Sequence, residues 1–244
     1  EDEIKQKKAF YSEEVKNYIK KNVEDNDYAE LIAKSPTELF AEVDKIKLAN
    51  MEVNLYRFIS PSGKGMDEDI LSVKLNREDQ VVIGNDCKRT RVRESLLLPN
   101  FKETLEKILT YYCTVKNIFY KQGLNEIFGP LLLLQYKFNS LKLATIFSIG
   151  EVFIDKFLPN YFYEKEFCSL KSALGLFVIL LRYHEPSVYN RLDSHEIMPE
   201  MYATNWVMTL LSAKIRLNLI YDYWEEIIKT GDSLILHFIL VSII

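Results

Sequence analysis

A chain of 244 residues, 48% hydrophobic and 27% charged, has the makeup of an ordinary globular protein and is long enough to bury a core. Its formal net charge of -4 excludes the basic footprint that nucleic-acid binding requires. Three scattered cysteines, Cys87, Cys113 and Cys168, make neither a disulfide framework nor a metal knuckle, so a reducing, cytoplasmic setting is expected.

The charged opening, Glu1-Asp2-Glu3-Ile4-Lys5, lacks the apolar core of a signal peptide. Over residues 1–50 apolar side chains recur at helical spacing, first at Tyr11, Val15, Tyr18 and Ile19, then at Leu39, Phe40, Val43 and Ile46. Two amphipathic helices are expected there, the second starting at Ser35-Pro36-Thr37-Glu38. Residues 60–69 read as a loop. Their Gly63-Lys64-Gly65 has neither the spacing nor the preceding apolar strand of a phosphate-binding loop.

Then comes Ile83-Gly84-Asn85-Asp86-Cys87-Lys88-Arg89-Thr90. In a helix, Ile83, Asp86 and Arg89 share a face, so Ile83 anchors the segment and Asp86 reaches the Arg89 guanidinium. Lys88, Arg91 and Arg93 crowd the same region, and the plain alternative is a solvated basic helix end. Pro99-Asn100 introduces a helix with apolar residues at Phe101, Leu105, Ile108, Leu109 and Tyr112, running to about Asn117. It leads to Tyr120-Lys121-Gln122-Gly123-Leu124-Asn125, where Gly123 permits a positive φ and lets Gln122 project from a turn.

Pro130 is expected to open an all-apolar helix, buried all round, and a second follows from Leu143 to Leu158. Leu170 to Arg182, nearly continuous in Leu, Ile, Val and Phe, is expected to be the central helix of the second half, ended by His184-Glu185-Pro186. Pro199-Glu200 starts a helix carrying Tyr202, Trp206, Thr209 and Leu210 on one face. Tyr221, Trp224, Ile227 and Ile228 mark the next, capped by Gly231. His184, His195 and His237 fit no ligand spacing and read as structural or solvent-facing. The last segment, Leu234 to Ile244, is too short to span a membrane and stops without a cap, so further helices are expected beyond it.

The pattern Ile83-x-x-Asp86-x-x-Arg89, followed by Tyr120-x-Gln122 with Gly123 and Asn125, resembles two signature motifs of the TBC domain of Rab GTPase-activating proteins. The resemblance implies an all-α fold of two packed helical subdomains, about 51–140 and 141–244, behind an N-terminal extension at 1–50, with the last helices missing. It also implies that Arg89 is an arginine finger and Gln122 a glutamine finger, both inserted into a partner GTPase and supported by Ile83, Asp86, Tyr120, Gly123 and Asn125. The chemistry suits these residue types. A cation neutralises the charge that spreads over the departing γ-phosphoryl group, and an amide orients the attacking water.

On this reading the domain carries no cofactor of its own; GTP and Mg²⁺ belong to a Rab-family partner. The setting is cytoplasmic, peripheral on endomembranes through that partner, in vesicle trafficking. The usual opening motif of the family, Arg-x-x-x-Trp, has no match, the nearest spacing being Arg57-x-x-x-Pro61. That departure keeps a second reading open: a TBC-like scaffold that binds a small GTPase or another partner without accelerating it.

Overall fold

A computed structural model describes residues 65–137 and 141–244. The helices expected within residues 1–50, and Arg57, lie outside the described residues. Every regular element described is helical. In chain order these are α1 (Met66–Ser72), α2 (Gln80–Arg89), a short 3-10 turn (Glu94–Leu97), α3 (Phe101–Val115), α4 (Leu124–Lys137), α5 (Leu143–Phe157) and α6 (Cys168–His184). Five more follow: α7 (Pro186–Ser194), α8 (Pro199–Tyr202), α9 (Thr204–Met208), α10 (Leu217–Thr230) and α11 (Leu234–Ile243). No described helix is long and apolar enough to cross a membrane.

Helices α1 to α5 form the first layer, built around α3. The periodicity of α3 turns Phe101, Leu105, Ile108, Leu109, Tyr112 and Cys113 into the core. Tyr112, Phe128 and Phe147 meet there from α3, α4 and α5, with ring centroids 5.3 to 6.3 Å apart. Gly150 makes this approach possible, because a Cβ at that position would lie 2.2 Å from the Phe128 ring.

Part of the expected loop is helical: α1 begins at Met66, directly after Gly65 at φ 97°. Asp67, Glu68 and Asp69 lie in its first turn, where the helix dipole favours negative charge. The Asp67 carboxylate also accepts the Ala144 N–H at 2.8 Å, tying α1 to the start of α5.

Pro130 does not open a helix. It sits inside α4, which starts six residues earlier at Leu124. A proline there leaves the Glu126 carbonyl without its intrahelical donor, and the Ser212 hydroxyl supplies the missing hydrogen bond. The Pro130 carbonyl in turn accepts the Tyr221 hydroxyl at 2.8 Å. The burial expected for this run holds: Leu131 to Leu134 lie inside the core.

The second layer gathers α7, α9 and α11 on α6. Helix α6 is less enclosed than its composition suggests. Leu170, Ala173, Leu174, Phe177 and Leu181 are buried, whereas Ile179 on the other side is 66% exposed. The helix expected from Pro199 is broken into α8 and α9 and ends at Met208. Thr209 ties its hydroxyl to the Asn205 carbonyl at 2.6 Å, and Leu210 and Leu211 take positive φ. The Trp224 indole donates to the Leu210 carbonyl at 2.9 Å and pins this reversal.

Helix α10 joins the layers, with Trp224 against Phe153 of α5 at 5.1 Å between centroids and Tyr221 bonded to α4. Gly231, at φ 64°, ends it as expected. His237 is buried in α11, and burial pushes its imidazole toward the neutral form. No cluster of metal-binding side chains occurs among the described residues.

Candidate functional site

Helix α2 presents the first candidate residue. Its N-cap, Asp79, accepts the Tyr120 backbone N–H at 2.6 Å and the Arg77 guanidinium at 2.8 Å, while Arg77 also donates to the Ile118 carbonyl at 2.7 Å. The start of α2 is therefore bound to the segment that leads into Gln122. Burial disfavours the Asp79 carboxylate, but Arg77 and the Tyr120 N–H overcome it and hold the carboxyl below its usual range.

Along α2, Ile83 is fully buried and Asp86 only 4% exposed, as their shared face requires. The Arg89 side chain is 61% exposed, with Nη2 2.6 Å from Asp86 Oδ1. The second oxygen of the same carboxylate, Oδ2, accepts the Tyr120 hydroxyl at 2.8 Å. One buried carboxylate thus holds both the arginine and the tyrosine two residues before Gln122. Burial, reinforced by the adjacent carboxylate, keeps that phenol protonated.

Asn125 completes the bracket. Its Oδ1 accepts the Gly123 N–H at 3.1 Å and lies 3.0 Å from the Tyr120 hydroxyl, whose single proton favours the charged acceptor, Asp86. Its Nδ2 donates to Thr90 Oγ1 at 2.8 Å, and Thr90 donates to the Asp86 carbonyl at 2.7 Å. Asp86, Tyr120, Asn125 and Thr90 form a buried ring of polar contacts, hydrogen-bonded at each link except that between the Tyr120 and Asn125 oxygens. Arg89 projects from one side of it in sequence and Gln122 from the other.

Gln122 is exposed, and its amide makes no hydrogen bond among the described residues. The turn beneath it is held firmly. Gly123 has φ 117°, a conformation any L side chain would strain. Lys121 donates to the carbonyls of Tyr161 and Glu164, and its ammonium sits 4.3 Å from the centre of the Phe167 ring. Of the predicted supports, Asp86 contacts Arg89, and Tyr120, Gly123 and Asn125 surround the Gln122 turn, while Ile83 is buried on α2 and touches neither through a hydrogen bond or ion pair.

Three residues of the site, Thr90, Arg91 and Glu126, escape the sequence patterns. Thr90 is buried within the ring. Arg91 counts against the alternative of a solvated basic helix end: its side chain is 10% exposed, while Lys88 and Arg93 remain exposed. It donates to the carbonyls of Ser212 and Ile215, and lies 3.9 Å from the Glu126 carboxylate. Burial raises the pKa of Glu126, and the positive charge of Arg91 only partly offsets this. No local signal singles out Arg91, because its partners are main-chain carbonyls far along the chain.

Among the described residues the fold is layered helices, with Arg89 and Gln122 both exposed. Residues 53–244 match the Rab-GTPase-TBC domain model. The chain therefore belongs to that family, and the match begins ahead of the position where the opening motif is absent. It is 27% identical over 220 residues to the GTPase-activating protein Gyp5 of Saccharomyces cerevisiae, covering 87% of this chain and 23% of that protein. It is 27% identical over 117 residues to a TBC domain-containing protein kinase-like protein of Homo sapiens, covering 48% of this chain and 13% of the relative. The chain thus spans less than a quarter of either relative. In fold it is similar to the crystallised Ypt/Rab-GAP domain of Gyp1p, with a TM-score of 0.54 and 14% identity over 79% of this chain and 64% of that one.

Proposed function

We propose that this domain accelerates GTP hydrolysis by a Rab-family GTPase, with Arg89 and Gln122 entering the partner's nucleotide pocket together. The observation that carries the reading is the double use of Asp86: one oxygen holds the guanidinium and the other fixes the approach to Gln122. Preorganised charge and aligned donors are what a loose phosphoryl-transfer transition state rewards. Arg89 would leave its 2.6 Å contact to spread positive charge over the γ-phosphoryl oxygens. The Gln122 carboxamide would align the attacking water, while the partner brings GTP and Mg²⁺. An interface of standard size, on the order of 1,600 Å² in total, would exclude solvent from the pocket.

Single-turnover GTP hydrolysis with a panel of purified Rab proteins tests this. Stimulation by the parent should fall by about three to five powers of ten in Arg89→Ala, roughly 4 to 7 kcal/mol of transition-state stabilisation. Arg89→Lys should recover little, because a point charge does not reproduce the planar fork. Equal stimulation by the parent and the alanine variant refutes the assignment. Binding of a Rab without stimulation by the parent would favour a scaffold.

A further inference from the structure

A cavity of about 270 Å³ opens in the second layer, between α6, α7 and the turn that leads into α8. Leu174, Val178 and Leu181 line it from α6, Leu192 from α7, and Ile197 and Met198 from the turn. Gly175, an exposed position of α6, also lines it, and an added Cβ there would meet no atom within 4 Å. Met198 beside it is 57% exposed. A flexible, polarisable methionine at an apolar surface suits binding of varied side chains.

The lip carries charge of one dominant sign. Asp193, Glu196 and Glu200 face a single lining cation, Lys171, and none of the four enters an ion pair among the described residues. The volume admits one or two large side chains, which suits the anchors of a short segment. We propose that this cavity is a docking site for a short basic segment of another protein. Such a segment seats a leucine or aromatic side chain over Gly175 and sets lysines or arginines against Asp193, Glu196 and Glu200. This is the helix-in-groove mode of recognition, with anchors at helical spacing and a charged margin that fixes orientation.

The test uses the 244-residue chain and a fluorescent synthetic helix of leucine and lysine at amphipathic spacing, read by anisotropy. A copy with glutamate in place of each lysine is the control. The lysine peptide should bind saturably and weaken as salt rises. Gly175→Leu puts a side chain into the cavity from its wall without backbone strain and should weaken binding at least about tenfold, the loss expected for a buried anchor. Glu196→Lys with Glu200→Lys should weaken it comparably, at unchanged thermal stability. Absence of binding, equal binding of the glutamate copy, or equal binding to Gly175→Leu overturns the proposal. Self-association abolished by Gly175→Leu, without peptide binding, assigns the cavity to a second copy and also overturns it. None of these readings depends on GTPase stimulation.

Discussion

Tyr120 donates its hydroxyl to Asp86 across 34 residues of sequence, at 2.8 Å and inside the core. Tyr120→Phe removes only that oxygen and leaves a buried Asp86 oxygen without its donor. We expect a loss of about 1 to 3 kcal/mol in denaturant-measured stability. With a responsive Rab, the stimulated rate at saturation should fall roughly 10- to 100-fold, because a misplaced finger loses orientation and not affinity. An unchanged saturating rate would show that the hydroxyl serves folding alone.

Arg91 is expected to matter for stability and Arg93 not. Arg91→Met strands the carbonyls of Ser212 and Ile215 and leaves the Glu126 carboxylate without its nearest cation. The expected cost is roughly 2 to 4 kcal/mol, read as a lowered urea midpoint at constant slope. Arg93→Met, at an exposed position, should stay within about 0.5 kcal/mol of the parent.

Glu126 gives a pH dependence of defined sign. Burial raises its pKa in the fold above the ordinary 4.5, so the native state holds a proton that the unfolded chain has released. Across the window from 4.5 up to that raised value, this group makes stability fall as pH rises. Its contribution is then flat above the window. Glu126→Gln keeps an oxygen for the Asn125 amide, which lies 3.3 Å from the present carboxylate. The variant should be less pH-sensitive through that window and should gain on the parent at neutral pH. A steeper profile than the parent's would contradict the reading.

Lys121→Met should lower the saturating rate of Rab-stimulated hydrolysis several-fold and leave KM for the Rab unchanged, since the side chain straps the Gln122 turn to Tyr161, Glu164 and Phe167. Lys121→Arg, which keeps a cation and donors, should restore most of the rate. A change confined to KM would instead place Lys121 in direct contact with the partner.

Much of this architecture is legible in the chain because it is written in apolar spacing. The face shared by Ile83, Asp86 and Arg89, the period of α3 and the glycine after Gln122 are local patterns, and local geometry enforces them. Arg91 is not legible for a physical reason. Its partners are main-chain carbonyls 121 and 124 residues away, and a carbonyl leaves no mark on residue identity. Pro130 misleads in the same manner: the hydroxyl that lets a proline sit within α4 belongs to Ser212, 86 residues beyond the carbonyl it satisfies. Helix α9 ends at Met208 ahead of the reversal at Leu210 that Trp224 holds, a contact that no window around Pro199 contains.

Those long sequence separations set an order of events during synthesis. The groups that accept Arg91, cover the carbonyl freed by Pro130 and bond the Pro130 carbonyl all lie between Ser212 and Tyr221. A nascent chain emerging from the ribosome can assemble α3, α4 and α5 while these polar groups still face water. The polar surroundings of Arg91 and of Pro130 become complete only after Tyr221 has left the exit tunnel, and a shorter chain therefore holds α4 without the hydrogen bonds that accommodate its proline.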